Sequence, residues 1–244
     1  MTLPQFKRII LKLSGEALLG TKEYGLDTDL LNDLVDQLIY IKSKNVQVGI
    51  VIGGGNILRG AEGETLGIDR ATADYMGMLA TFINALALQN FLVVKGVDAR
   101  VMSSLSLNQI AEPYILTKAL SHFDKGRLVI FAGGTGLPFF TTDTTAALRA
   151  LEIKADALFK ATKVDAIYSA DPSKVKNAQK YVTINYTEFL AKNLKAMDAT
   201  AVSLCRDYNM PIILFNIKGK DNLIKAVLDG EVGTIITSSV LTKE

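Results

Sequence analysis

Three glycine-bearing segments of this chain each follow a short apolar run, and each carries residues able to hold phosphate. The longest is Gly133-Gly134-Thr135-Gly136-Leu137-Pro138-Phe139-Phe140-Thr141-Thr142-Asp143-Thr144, after Leu128-Val129-Ile130-Phe131-Ala132. Glycines at a strand end let backbone N–H groups approach a ligand. Threonines and an aspartate at a helix start stand beside unpaired N–H donors. That combination suits a polyanion, phosphate foremost. The second segment is Gly53-Gly54-Gly55-Asn56, with Arg59 within a turn to offer a forked cation. Two glycine-rich strand ends suggest two phosphate-bearing ligands, and that pairing points to phosphoryl transfer. The third segment, Lys12-Leu13-Ser14-Gly15, ends the first apolar run. Lys12 is either a strand residue turned to solvent or a cation aimed at the loop. Asp143 is a helix cap or an orienting carboxylate, whereas for Asp198 alone capping is the simpler reading. Asp74, near the start of an otherwise uncharged helix, would bond two ribose hydroxyls or complement the helix dipole.

Such residues need a scaffold that brings strand ends together. Apolar runs predict strands at Phe6 to Leu13, Val46 to Ile52, Arg100 to Met102, Leu128 to Ala132, Ala157 to Ala161, Ile212 to Asn216 and Thr234 to Thr237. Helical spacing predicts helices at Asp27 to Lys44, Asp69 to about Asn90, Tyr114 to Phe123, Thr144 to Leu151, Tyr186 to Lys192, Asp198 to Tyr208 and Asn222 to Leu228. Asp27 is a plausible N-cap. Val164 to Pro172 reads as a turn, a short strand and a loop, and Lys174 to Lys180 as a polar surface loop. The alternation argues an α/β fold: a largely parallel sheet with helices on both faces, ligands sitting at the carboxyl ends of its strands. No linker divides the chain, so one domain spans 1–244, with two lobes meeting near Glu152 to Ala155 (about 1–154 and 155–244).

Composition removes several alternatives. The 244 residues are 49% hydrophobic and carry a formal charge of +2, too small for general binding to nucleic acid or acidic membranes. The single cysteine, Cys205, fits a reducing compartment and a cytoplasmic protein. The single histidine, His122, reads as a helix-surface residue. One His and one Cys exclude a Ser-His-Asp triad and zinc sites built from those ligands. A divalent ion would need carboxylates, hydroxyls or substrate phosphates. There is no Gly-x-x-x-x-Gly-Lys-[Ser/Thr], no Gly-x-Gly-x-x-Gly opening a helix and no protein-kinase signature. Nor does the N-terminal sequence show the apolar h-region of a signal peptide. Tyr75 to Val94 is uncharged, but Thr81, Asn84, Gln89 and Asn90 argue against a membrane span. It reads as a helix running into a short strand, buried in the core or against another subunit.

In order along nearly the whole chain, these pieces resemble the bacterial-type UMP kinases (uridylate kinases) of the amino-acid kinase superfamily. The resemblance is carried by Lys12-Leu13-Ser14-Gly15-Glu16-Ala17-Leu18, Gly53-Gly54-Gly55-Asn56 with Arg59-Gly60, and Ala73-Asp74-Tyr75-Met76-Gly77-Met78. It continues through Gly134-Thr135-Gly136 to Asp143, Lys160-Ala161-Thr162-Lys163-Val164-Asp165, Ala170-Asp171-Pro172 and Lys195-Ala196-Met197-Asp198. The runs Pro138 to Asp143 and Ala73 to Met78 are the most specific to the UMP branch.

The resemblance implies a three-layer α/β/α sandwich and ATP-dependent phosphorylation of UMP to UDP in pyrimidine biosynthesis. It further implies Mg2+ held mainly through substrate phosphates, and a homohexamer. By matching position, Lys12, Leu13, Ser14, Gly15, Gly55 and Arg59 meet ATP phosphates, and Thr162, Tyr168 and Asp171 hold the adenosine end. Gly54, Asp74 and the stretch Thr135, Gly136, Leu137, Pro138, Phe139, Phe140, Thr141 and Thr142 hold UMP. Asp198 orients Lys12, and Asp143 lies beside the transferring group. Lys12, Arg59, Asp143 and Asp198 form the expected catalytic set, with direct metal ligands left open. Leu137 stands where many members have Asn, which shifts base selectivity toward backbone groups. Arg100 and Arg127 match basic positions of a GTP effector site, whereas Gln89 replaces a common arginine. The alternatives are a relative with another acceptor and a nucleotide-binding sensor or storage protein without turnover.

Overall fold

Alternation along the first strand sets the layering. In β1 (Arg8–Leu13), Ile9, Leu11 and Leu13 enter one core and Ile10 enters the other, so the sheet is covered on both faces. The computed structural model describes residues 6–20, 22–58, 67–170, 175, 177–230 and 232–238. Two assigned residues, Arg59 and Asp171, lie outside the described residues, as does part of the expected loop at Lys174 to Lys180.

After β1 come α1 (Thr28–Ser43), β2 (Gln47–Ile52), α2 (Arg70–Val94), β3 (Ala99–Ser103), β4 (Glu112–Pro113) and α3 (Leu116–Asp124). There follow β5 (Leu128–Ala132), α4 (Thr142–Glu152), β6 (Ala157–Thr162), β7 (Ile167–Tyr168), β8 (Lys180–Tyr181) and β9 (Thr183–Asn185). The chain closes with α5 (Tyr186–Ala191), α6 (Ala199–Asp207), β10 (Ile212–Asn216), α7 (Asn222–Ile224) and β11 (Thr234–Thr237). Among the described residues, one sheet runs β4-β3-β5-β2-β1-β6-β10-β11-β9, and only β10 and β11 pair antiparallel within it. A separate hairpin joins β7 to β8. Helices α1, α2 and α7 cover one face; α3, α4, α5 and α6 cover the other.

The local signals explain most boundaries. Asp27 caps α1 by accepting from the Asp29 and Leu30 N–H groups, and Asp69 caps α2 through Thr72. Sequence reading ends α2 near Asn90 and places a strand after it. The helix instead continues to Val94, because Leu92 still packs into the core. Likewise α3 starts two residues later than expected, since Glu112–Pro113 is used as an edge strand on β3. The edge strand β9 and the hairpin strand β8 were not expected.

Helix α2 is long and apolar enough to cross a membrane by length and composition alone. Its packing is that of a core helix: Asn84 is fully buried and donates to the Gly53 carbonyl at 2.7 Å. Its other side leaves Tyr75, Leu79, Ile83 and Val94 exposed.

Candidate active site

The carboxyl ends of β1, β2, β5 and β6 converge because these strands are parallel neighbours in the sheet. Lys12 and Lys160 stand at matching register on β1 and β6, on the same face as Ile10 and Leu158. Alternation that could have turned Lys12 to solvent turns it instead beneath α4, where it is only 7% exposed. Lys160, with 8% exposure, lies beside it. Two ammonium groups at one buried register require an anion. Asp143, in the first turn of α4, supplies it: Oδ2 accepts from Lys160, and Oδ1 lies 2.9 Å from the Lys12 ammonium. This contact is an ion pair in which Oδ1 accepts no well-aligned hydrogen bond.

Burial is the largest single influence on Asp143 and would raise its pKa. The charges of Lys12 and Lys160 together outweigh it and hold the carboxyl at about 2. Burial lowers the pKa of Lys160, and Lys12 adds to that while Asp143 opposes it. The sign of the linkage follows. The folded-state pKa of Asp143 lies below that of an unfolded aspartate, so its stabilisation is complete above the unfolded value, near pH 4, and disappears as pH falls toward 2. The loss is on the order of 2 kcal/mol. The stability gap between wild type and Asp143→Asn in urea should therefore narrow between about pH 5 and pH 2. A stability gap that stays constant across that range would contradict the charge assignment.

No ion pair joins Asp198 to Lys12 among the described residues; the Lys12 partner is Asp143. Asp198 caps α6 through the Ala201 N–H at 2.8 Å. It also accepts from the Thr141 hydroxyl, and from Thr144 at 3.2 Å. Thr141 in turn caps α4 through Asp143 and Thr144 N–H groups at 3.0 and 3.2 Å. Thus Asp198 fixes the turn that presents Asp143, one step removed from the lysines.

The glycine loops meet at the same place. A Cβ on Gly15 would lie 2.5 Å from Asn56 Oδ1 and 2.6 Å from the Gly55 N, so the first and second loops pack backbone to backbone. A Cβ on Gly54 would strike the Gly77 carbonyl at 2.7 Å, which makes this glycine a requirement of α2 packing. Gly55 has open space, with only Glu16 Cγ at 3.7 Å. Of the three, it is the one free to face a ligand. Asn56 and Asn84 exchange reciprocal amide bonds at 3.0 and 2.7 Å and tie this loop to α2.

The long loop after β5 forms one wall. Gly133 N–H donates to Thr81 at 2.8 Å, and Phe139 N–H donates to Asp74 at 2.7 Å. Phe139 adopts φ 69°, unusual for a side chain of that size, and its ring is 68% exposed. Asp74 also accepts from Arg70 Nε at 2.9 and 3.0 Å, so its carboxylate holds this loop to the start of α2. Thr135 bridges Leu137 through both its N–H and its carbonyl, at 3.2 and 3.1 Å. Leu137 and Phe140 are exposed, as are Pro138's neighbours on either side.

On the β6 side, Thr162 accepts from the Val164 N–H and donates to its carbonyl, while the Tyr168 hydroxyl donates to Asp165 at 3.0 Å. Ser14 Oγ accepts from the Ala17 N–H at 3.2 Å. Ser14 lies just after β1, Thr162 closes β6 and Tyr168 lies in β7. Arg100 and Arg127 are elsewhere, both bonded to Asp98 near the β3 edge. His122 is not a surface residue: it is 8% exposed, between Glu112 at 3.0 Å and Arg127 at 3.1 Å.

Among the described residues, no three His, Cys, Asp or Glu side chains gather to ligate a metal ion. Asp143 Oδ1 is a buried oxygen without a donor, but two ammonium groups flank it, and a bare divalent cation there would meet like charge. These residues do not make a protein cage for a divalent ion.

A family model described as the amino acid kinase family matches residues 7–216. The structure is similar to that of a UMP kinase from Bacillus anthracis, with 39% identity, TM-score 0.94, and coverage of 97% of this chain and 98% of the other. It is similar also to a UMP kinase from Ureaplasma parvum, at 36% identity, TM-score 0.90 and coverage of 95% and 99%. A uridylate kinase from Archaeoglobus fulgidus matches at 28% identity and TM-score 0.74, over 94% and 99% of the two chains.

Proposed function

This chain belongs to the amino acid kinase family, and from that premise we propose that it transfers the γ-phosphoryl group of ATP to UMP, giving UDP and ADP. The observation that carries this reading is the Lys12–Asp143–Lys160 centre, buried where the carboxyl ends of adjacent parallel strands meet two glycine loops. A phosphate oxygen of UMP attacks the γ-phosphorus in line. It is already ionised near neutral pH, so no general base is needed, and positioning with charge stabilisation does the rest. Lys12 and Lys160 neutralise charge on the transferring group, Asp143 keeps both ammonium groups in place, and Asp198 holds the turn that carries Asp143. Arg59 adds a guanidinium to the phosphates.

The donor lies along Lys12, Leu13, Ser14, Gly15 and Gly55, with its adenosine toward Thr162, Tyr168 and Asp171, in the lobe completed by about 155–244. UMP lies along Gly54, Asp74 and Thr135 to Thr142, in the lobe of about 1–154. The ribose exchanges with the Phe139 N–H for the Asp74 carboxylate. Magnesium, when bound, spreads phosphate charge. The exposed apolar stripe of Tyr75, Leu79, Ile83 and Val94 supports self-association, as a homohexamer, and the single buried cysteine supports a cytoplasmic setting. Any GTP effector would have to displace Asp98 from both Arg100 and Arg127, and Gln89 in place of a common arginine weighs against one.

A coupled ADP assay with UMP, CMP and AMP as separate acceptors tests the reading. UMP should be used at least tenfold more efficiently than either, in kcat/KM, about 1.4 kcal/mol of discrimination. A preference for another acceptor would move the chain to a different branch, and no ADP with any would favour a sensor or storage protein.

A further inference from the structure

Arg149, on the inward side of α4, is only 5% exposed and takes no part in the lysine centre. Its guanidinium stacks 3.6 Å from the Tyr114 ring and donates through Nη1 to Glu152 at 2.5 Å, while the Tyr114 hydroxyl donates to the same carboxylate oxygen at 2.6 Å. Through Nη2 it donates to Ser104 Oγ at 2.9 Å, and the Ser104 hydroxyl donates onward to the Gly134 carbonyl at 2.8 Å. Nε is buried without a partner. A charge held there at the cost of an unsatisfied donor is a poor device for stability, because an apolar side chain of similar volume would pack at least as well. What the arginine supplies is direction. Its plane is fixed by ring and carboxylate, so its donor reaches Ser104 along one line.

We propose that Arg149 is a positioning residue for the acceptor nucleotide, acting through Ser104 on the loop at Gly134. The proposal rests on the reading that this loop holds UMP. Ser104 meets the loop twice, since a Cβ on Gly136 would lie 3.0 Å from the Ser104 carbonyl oxygen. Helix α2 secures the two ends of the loop, through Thr81 at Gly133 and Asp74 at Phe139. The Arg149–Ser104 relay secures the part between them. Among the described residues no hydrogen bond of this relay reaches the loops after β1 and β6, so its loss should fall on the acceptor side.

Three variants test it: Ser104→Ala, Arg149→Met and the double variant, each with steady-state kinetics, UMP titration calorimetry and thermal unfolding. Ser104→Ala breaks the relay while leaving Arg149 packed. It should raise the KM and the Kd for UMP about fivefold, the loss of one hydrogen bond, with KM for ATP changed less than about twofold. Arg149→Met should do the same or more, and the double variant should match the larger single effect, because both members act in series. Unchanged UMP affinity in Ser104→Ala, additive effects, or equal rises in both KM values would overturn the proposal. Wild-type protein that made no ADP with UMP would overturn the reading beneath it, whereas normal wild-type turnover with unaltered variants would remove the relay alone.

Discussion

Lys12→Ala should lower kcat by about 100-fold or more while the purified protein keeps its far-UV spectrum and its Tm to within a few degrees. The rate loss follows from removing a buried cation that stands where the glycine loops meet. A preorganised donor aimed at developing charge in a site of low dielectric typically contributes 10²–10³ in rate. The fold should survive because Asp143 keeps Lys160 as its partner, so no charge is left buried alone. KM for UMP should change little, since Lys12 lies on the donor side. Near-normal kcat in a folded Lys12→Ala protein would exclude Lys12 from the reaction.

The second large effect belongs to Asp143→Asn, and it should strike stability and rate together. The substitution is nearly isosteric, yet it leaves two buried ammonium groups facing each other without the carboxylate that pairs with both. Breaking a buried ion pair by removing one partner typically costs about 3–5 kcal/mol. The protein can relieve part of that by releasing a proton from Lys160, whose pKa is already lowered by burial and by Lys12. Asp143→Asn should then lose at least as much kcat as Lys12→Ala, because both lysines lose the carboxylate that holds them in place. ATP should restore more Tm to this variant than to wild type, since its phosphates replace the missing negative charge. Differential scanning calorimetry with and without ATP reads this directly. Equal ligand-induced shifts in the two proteins, or wild-type kcat, would contradict the role given to Asp143.

Much of the scaffold was legible because its signals are local. Asp27 and Asp198 act as caps, and both bond the N–H groups that a cap should reach. The strands before the three glycine loops fall within a residue or two of their expected bounds, since buried parallel strands are plain apolar runs. What stayed hidden depends on register or on side chains far apart in sequence. Lys160 escaped notice as a site residue, although a lysine inside the apolar strand Ala157–Thr162 repeats the oddity of Lys12. Only the pairing of β6 with β1 puts the two side by side. The same holds for Arg149, which looks like a surface residue of an amphipathic helix until Tyr114, Glu152 and Ser104 close around it. His122 was misread for a like reason, because Glu112 and Arg127 bury it from other elements. That Asp143 rather than Asp198 pairs with the lysines is not legible either, as both are helix-start aspartates by sequence and differ only in what the fold places opposite them. Among the glycines, Gly54 answers to the helix behind it and Gly55 to the open side, a difference that spacing alone does not carry.

The central claim is that one buried centre moves a phosphoryl group from ATP to UMP. It is tested most directly by incubating the purified protein with ATP, magnesium and UMP and quantifying UDP and ADP in the same samples. The account predicts equal amounts of the two products at every time point, none without UMP, and almost none with Lys12→Ala. ADP formed without UDP, or no turnover at all, would contradict it.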